Sequence, residues 1–250
     1  MDELRERGLV PTLEQNDAYC EAEAELLRAR GAAPEEVEAL QAFAHKKAVS
    51  ETDRATYQAM EALIHNLNTM HSRAGAQTPF SSINYGMDTS PEGQMVIKNV
   101  LLAQEAGLGF GETPIFPIHI FRVKEGINYN PGEPNYELFR LACRVSAKRL
   151  FPNFAFQDAP YNLAFYKEGD PTTEIAYMGC RTRVVANVYD PSRQTTYGRG
   201  NLSFTSINLP RIGIRAKGDI DAFFEELERK LELVCEQLYN RFLLISQKTV

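Results

Sequence analysis

The chain has 250 residues, of which 44% are hydrophobic, and its formal net charge is −6. This length allows one or two domains with a sizeable apolar core, and the acidic balance without a basic face argues against DNA or RNA as a partner. The N-terminus does not resemble a signal peptide, and no apolar run reaches the roughly eighteen residues of a membrane span, so we expect a cytoplasmic location and no membrane partner.

The N-terminal part of the sequence is predicted to be helical. Leu13–Arg30 is rich in Ala, Glu, Leu and Arg, and Pro34 followed by two glutamates is typical of a helix start. A third helix is predicted from about Glu51 to Met70. We therefore divide the chain into a helical lead-in segment, residues 1–50, and a main domain, residues 51–250.

Strands and helices alternate in the main domain. This pattern favours an α/β architecture with parallel strands. The predicted strands lie in Gln77–Tyr85, Ile115–Val123, Phe154–Phe156, Glu174–Met178, Thr182–Val188 and Leu202–Leu209. The predicted helices run from Ser90-Pro91 to Gly107, from Pro134, and from Asp219 to near the end of the chain.

The four cysteines match no zinc motif in their spacing. Cys143 and Cys235 fall in amphipathic helices and are predicted to be packing residues, and Cys20 lies in a helix too charged for an active site. Cys180 differs because it follows Gly179 and precedes a basic stretch, where cations lower a thiol pKa and glycine permits a close approach. The alternative for Cys180 is a buried structural cysteine.

Asn201, next to Gly200, is a candidate for binding a sugar hydroxyl, although such an asparagine often bonds its own backbone in a turn. The turn signal Tyr189–Ser192 lies midway between Asn201 and Cys180. If the chain doubles back there, we expect the two Cα atoms to lie ~5–10 Å apart, and a separation above ~15 Å would contradict the hairpin.

Several other enzyme classes find no support in the pattern. His65, His71 and His119 have no partners at metal-ligand spacing. Ser81 and Ser82 lack the surroundings of a hydrolase nucleophile, and the AGLGFG segment does not open a helix as a dinucleotide fingerprint does.

Six segments in this order carry a family resemblance: MHSRAGAQTPFSSINYG, TSPEG, ETPIFPIHIF, AKRLFPNF, YMGCRTR and GRGNLSFTSINLPR. Together they resemble the catalytic domain of the anaerobic (class III) ribonucleoside-triphosphate reductases, from about Glu51 to the end. The resemblance implies a ten-stranded α/β barrel made of two half-barrels. We therefore expect an α/β fold that supplies about half of such a barrel, preceded by an N-terminal helical segment.

The resemblance also implies a reaction, the reduction of a ribonucleoside triphosphate to its 2′-deoxy form. A thiyl radical on Cys180 removes the 3′-hydrogen of the ribose, and the 2′-hydroxyl leaves as water. Asn201 falls on the family asparagine that hydrogen-bonds the ribose. Arg73, Ser81 and Ser82 are expected to help orient the substrate.

Further partners follow from the same resemblance: a deoxynucleotide or ATP effector, a second copy of the chain in a homodimer, and an activating S-adenosylmethionine enzyme. The helices Glu51–Met70 and Ser90–Gln104 are candidates for the effector and dimer contacts. The family's glycyl radical and zinc belong to a C-terminal region without a counterpart in this sequence. We therefore expect no cofactor in this chain and no turnover by the chain alone.

Two alternatives stay open. Another glycyl-radical enzyme, such as a pyruvate formate-lyase relative, would also place a cysteine loop in a barrel, but it would bind an acyl substrate. A non-catalytic nucleotide-binding or dimerisation module would bind nucleotides normally without the thiol of Cys180.

Overall fold

The computed structural model describes residues 2–70, 78–179, 182–184, 187, 190–192 and 203–248. The chain forms two compact units, residues 1–197 and residues 198–250.

The first unit begins with three helices, α1 (Asp2–Glu6), α2 (Asp17–Ala29) and α3 (Pro34–Thr69). The prediction of two helices between Pro34 and Met70 is wrong, because α3 is continuous. No proline or glycine occurs after Pro34 in this helix, and Glu51 forms ion pairs with Lys47 and Arg54 on either side of the expected break. The boundary placed after residue 50 falls within α3 and stays a prediction.

A parallel three-stranded sheet follows, with β2 (Ile118–Val123) between β1 (Ser82–Tyr85) and β3 (Asn153–Phe156). The helices α4 (Pro91–Ala106) and α5 (Tyr136–Arg149) connect successive strands. The predicted start of α4 is confirmed, since Oγ of Ser90 accepts a hydrogen bond from the Gly93 amide at 3.0 Å. The predicted parallel arrangement is confirmed for these three strands.

Alternate residues of β2 point to opposite faces of the sheet. Phe121 and Val123 join a core with α4 and α5, whereas Ile118 and Ile120 face a second apolar cluster that includes Tyr177. Nearly all of β2 is buried, as expected for a central strand that is covered on both faces. The second face is the one that carries the candidate site.

The chain then forms α6 (Pro160–Leu163), a short 3₁₀ turn (Pro171–Thr173), and the strands β4 (Ala176–Met178) and β5 (Thr182–Val184). These two strands are antiparallel, so the prediction of parallel strands fails here. Only three residues connect them, and a parallel crossover needs about a dozen or more.

The second unit contains α7 (Leu209–Ala216) and α8 (Ile220–Ser246). The predicted closing helix is confirmed, and Oδ1 of Asp219 caps it by accepting from the Ala222 amide at 3.0 Å. The predicted strand at Leu202–Leu209 is wrong over residues 203–208, which carry no strand. Asn208 instead caps α7 through the amide of Arg211.

The described residues thus form a mixed α/β fold with a helical N-terminal segment and two small sheets.

Candidate active site

The hairpin formed by β4 and β5 is the structural setting of the MGCR motif. Its register pairs Ala176 with Val184 and Met178 with Thr182, so residues 179–181 join the strands. Gly179 has φ +59°, a left-handed conformation that glycine adopts without strain. Cys180 and Arg181 lie outside the described residues.

Two side chains of β1 hold the backbone of β4. The Asn84 amide donates from Nδ2 to the Tyr177 carbonyl at 2.8 Å, and its Oδ1 accepts from the Tyr177 amide at 3.0 Å. Oγ of Ser82 accepts from the Gly179 amide at 3.2 Å. The strand that leads to Cys180 is therefore bonded to the face of the parallel sheet.

Arg183 anchors the other strand of the hairpin. Its Nη1 donates to the Tyr161 carbonyl at 2.7 Å, and its guanidinium lies 5.1 Å from the centre of the Tyr161 ring and 6.0 Å from that of Phe165. Such a cation above an aromatic ring is stabilised electrostatically. The guanidinium of Arg183 is therefore engaged by α6 and the residues that follow it.

An open pocket of about 370 Å³ lies beside the hairpin. Ile120 and Ala155 line it from the sheet, and Tyr177 and Tyr161 line it from β4 and α6. Asn153 adds an amide to a lining that is otherwise mainly apolar and aromatic. Such a mixture is typical of small-molecule sites, where a few polar groups fix the orientation of the ligand.

A partly buried ion pair lies at the carboxyl end of the sheet. Nη1 of Arg122 is 2.6 Å from Oε2 of Glu174, and both side chains are mostly shielded from solvent. The pair connects β2 to the segment that precedes β4. It therefore fixes the segment that leads into the hairpin.

His119 is a buried group on the helix-facing side of the sheet. Burial lowers the pKa of His119 to about 4, and it raises the pKa of Tyr85 well above its ordinary value of 10.0. His119 is therefore neutral at physiological pH. It lies on the same face of β2 as Phe121, away from the face that carries the hairpin.

The predicted site residues divide into two groups. Ser81 and Ser82 are described: Oγ of Ser81 donates to the Pro79 carbonyl at 3.3 Å, and Ser82 contacts Gly179. Arg73, Cys180 and Asn201 lie outside the described residues. The predicted separation of Cys180 and Asn201 therefore stays a prediction, and so do the substrate roles of both serines.

The predictions for two other cysteines are wrong. Cys143 and Cys235 were expected to be packing residues, but both are exposed. The predicted apolar faces exist, but Cys143 lies outside the buried stripe of α5, which is formed by Ala142 and Val145, and α8 has no buried residue at all.

A metal site receives no support within the described part of the chain. No three His, Cys, Asp or Glu side chains there lie close enough together to hold an ion. No helix in these ranges is long and apolar enough to cross a membrane.

Sequence reasoning missed the residues that hold the hairpin, Asn84 and Arg183. Asn84 could have been found, because it is two residues after Ser82 in a strand and so lies on the same face. Arg183 was noted only as a nearby cation, because no sequence signal connects it with Tyr161.

Comparison with known proteins identifies the family. A family model described as anaerobic ribonucleoside-triphosphate reductase matches residues 30–250. Proteins of that name from Salmonella typhimurium and Escherichia coli are each 34% identical over 193 residues, which cover 77% of this chain and 26% of each relative. The protein of that name from Enterobacteria phage T4 is 33% identical over 199 residues, or 78% of this chain and 32% of the relative.

The chain thus spans about a quarter to a third of the length of these relatives. The family match favours the reductase over the alternative of another glycyl-radical enzyme. The chain belongs to the anaerobic ribonucleoside-triphosphate reductase family.

Proposed function

We propose that this chain is part of the catalytic domain of an enzyme that reduces ribonucleoside triphosphates to 2′-deoxyribonucleoside triphosphates. The observation that carries the proposal is the MGCR motif on a hairpin that is bonded to the sheet face beside a pocket. The family match supports the same assignment.

Cys180 is the proposed catalytic residue. In its thiyl form the sulfur takes the 3′-hydrogen atom of the ribose and becomes a thiol, and the unpaired electron passes to the sugar carbon. The 2′-hydroxyl takes a proton and leaves as water, and an external two-electron reductant supplies two electrons and a second proton to the 2′ carbon. The Cys180 thiol then returns its hydrogen atom to the 3′ carbon, which regenerates the thiyl radical. Placing the thiol on a fixed hairpin favours this step, because atom transfer needs the reacting atoms in near contact.

Asn201 is the proposed ribose-binding residue, and Arg73, Ser81 and Ser82 are proposed to orient the substrate. Ser82 keeps the capacity for this role, because its oxygen accepts from Gly179 while its hydroxyl proton stays available to donate. The apolar and aromatic lining of the nearby pocket suits a nucleoside, and ring stacking on a tyrosine is one form of contact that this lining offers.

The proposed architecture is part of a ten-stranded α/β barrel. In the described residues, β1 and β3 each pair with β2 and leave their outer edges without a partner strand. Further strands can add to those edges, as a barrel requires.

The proposed partners are a deoxynucleotide or ATP effector, a second copy of the chain, and an activating S-adenosylmethionine enzyme. We place the effector and dimer contacts on α3 and α4. These helices are joined by Asp53, which lies 2.7 Å from both Nζ of Lys98 and Nδ2 of Asn99. A ligand that shifts one of these helices would therefore also shift the other.

A chimera tests the proposed function. The matching segment of the Escherichia coli relative is replaced by residues of this chain, and formation of deoxycytidine triphosphate from cytidine triphosphate is measured without oxygen. We expect turnover, its loss in Cys180→Ser, and its retention in Cys143→Ser, a matched change at an exposed thiol. Turnover by the Cys180→Ser chimera would overturn the assignment.

Calorimetry with cytidine triphosphate and ATP on the 250-residue chain distinguishes the proposed enzyme from the remaining alternative, a non-catalytic nucleotide-binding or dimerisation module. Normal nucleotide binding by Cys180→Ser, combined with a chimera that shows no turnover, would favour a non-catalytic binding module.

A further inference from the structure

We propose that Asn84 and Ser82 are positioning residues, which fix the hairpin that carries Cys180. The inference rests on the proposed function for its catalytic meaning. Its structural basis is a set of three hydrogen bonds, two from Asn84 to the backbone of Tyr177 in β4 and one from Ser82 to the amide of Gly179, the residue after β4.

The spacing of Ser82 and Asn84 along β1 matches the spacing of the backbone groups that they bind. Ser82 and Asn84 are two residues apart on one strand, and their partners Gly179 and Tyr177 are two residues apart on the other. Both spacings are about 6.6 Å, the two-residue repeat of a strand. The two side chains therefore bind the backbone of β4 at the same spacing as the backbone of a neighbouring strand would.

The backbone of β4 is divided between two sets of partners. In a strand, the N–H and C=O groups of one residue point to one side and those of the next residue to the other. The polar groups of Tyr177 face Asn84, which leaves those of Ala176 and Met178 for the ladder with β5. Loss of Asn84 therefore unpairs Tyr177 without removing the hairpin itself.

The contact with Gly179 is adjacent in sequence to the thiol. Ser82 holds the Gly179 amide, and a Cβ built on Gly179 would lie 3.3 Å from Cε1 of Phe80. The residue before Cys180 is thus held by a hydrogen bond, and the ring of Phe80 leaves little room for a side chain there. Catalytic groups need placement within about 0.5 Å, which such support provides.

The role is distinct from general stability. Ser82 and Asn84 are only partly buried, and they share their face of the sheet with the smaller cluster of Ile118, Ile120 and Ala155. The main core, with Phe121 and Leu101, lies on the other face. Removing either polar side chain creates no cavity in that core. We therefore expect a released hairpin on an intact sheet.

The test uses the 250-residue chain with Cys20, Cys143 and Cys235 changed to serine, so that Cys180 is the remaining thiol. The readouts are the rate of Cys180 alkylation by iodoacetamide as a function of pH, and the hydrogen exchange of the Tyr177 and Gly179 amides. Neither readout requires nucleotide or turnover. The result is therefore independent of whether the proposed function holds.

We expect Asn84→Ala to speed exchange at Tyr177, and Ser82→Ala to speed exchange at Gly179, each about tenfold, the effect of one lost hydrogen bond. The alkylation rate of Cys180 should change by a similar factor in both variants. Ser82→Thr keeps the hydroxyl and should restore the parent values.

Asn135→Ala is the matched control. Asn135 is a buried amide that also holds backbone, since Nδ2 donates to the carbonyls of Gly86 and Asp88, but within the described residues no hydrogen bond joins it to the hairpin. It should leave Cys180 alkylation unchanged. If Asn84→Ala does not fold, Asn84→Asp replaces it with Cys180 alkylation as its readout, because the acid keeps the acceptor for the Tyr177 amide and loses only the donor to the Tyr177 carbonyl. Unchanged alkylation and exchange in the Asn84 and Ser82 variants would overturn the proposal.

Discussion

The Tyr85 hydroxyl lies 2.9 Å from Nδ1 of His119, across the β1–β2 ladder and beneath α4 and α5. His119 is fully buried, and its Nε2 has no hydrogen-bond partner among the described residues. A second ring proton would place a charge there without an acceptor. The pair is therefore compatible only with a neutral imidazole.

This pair predicts a loss of stability in acid. The pKa of His119 is about 4 in the folded chain and 6.5 as its ordinary value, so the unfolded chain binds the proton first as pH falls. The contribution of neutral His119 to the free energy of unfolding should be complete above pH 6.5. The free energy of unfolding should then fall by about 3 kcal/mol between pH 6.5 and 4. Urea unfolding at a series of pH values measures this loss.

The control for this measurement is the double variant His119→Phe with Tyr85→Phe, which leaves no hydroxyl unpaired. Carboxylates also titrate in this range, so the prediction concerns the difference between the parent and the double variant. If the two pH profiles run parallel, His119 is not the group responsible.

Among the residues of α5, Arg149 is predicted to be one whose replacement strongly lowers the free energy of unfolding. Its guanidinium is nearly buried and donates to the carbonyls of Glu105, Ala106 and Gly111, so it satisfies the C-terminal end of α4. Arg149→Met should lower the free energy of unfolding by about 3 kcal/mol, because buried carbonyls lose charged donors. Arg140→Met, on an exposed turn of α5, should cost less than about 1 kcal/mol in the same urea experiment.

Gly179→Ala is predicted to strain the hairpin. The residue has a positive φ, which costs a residue with a Cβ about 1–2 kcal/mol, and the added Cβ would also meet Phe80. We expect a lower melting temperature and faster amide exchange at Tyr177. Gly109→Ala is the matched control, since a Cβ there has no atom within 4 Å. Equal melting temperatures for both variants would contradict the prediction.

α8 is predicted to drive self-association of the chain. One stripe of this helix exposes large apolar side chains along its whole length: Ile220, Phe224, Leu231, Phe242 and Ile245. Exposed apolar surface of this extent favours association. Sedimentation at increasing concentration should show oligomers, and Leu231→Lys with Phe242→Lys should shift them towards monomer.

The control for association is Asn240→Lys, which adds a lysine on the opposite side of α8. It should leave the distribution of species unchanged. A monodisperse monomer at high concentration for the parent chain would contradict the prediction.

Helix starts could be predicted from the sequence because they depend on local chemistry. Ser90 with Pro91 and Asp219 both mark helices that the structure contains. Asn208 with Pro210 carries the same signal at α7, but the apolar run before it was interpreted as a strand. The continuity of α3 was missed because a change of composition near Glu51 was given more weight than the lack of helix-breaking residues.

The support of the candidate site could not be predicted in the same way. The motif around Cys180 indicated which loop matters, but the contacts of Tyr177 with Asn84 and of Arg183 with Tyr161 join residues that are distant in sequence. Such contacts depend on how β4 packs against the parallel sheet in the folded chain. No spacing along one chain segment encodes that geometry.

The unbroken course of α3 has a mechanical consequence. A helix of 36 residues is about 54 Å long, and its last turn is fixed to the segment before β2 by Asn68, which accepts from the amides of Ile115 and Phe116. Its other end packs against α2. Because Asp53 fixes the middle of the helix to α4, a small tilt about that contact displaces Asn68 and Pro34 in opposite directions. The helix therefore couples the edge of the sheet to the far end of the N-terminal segment.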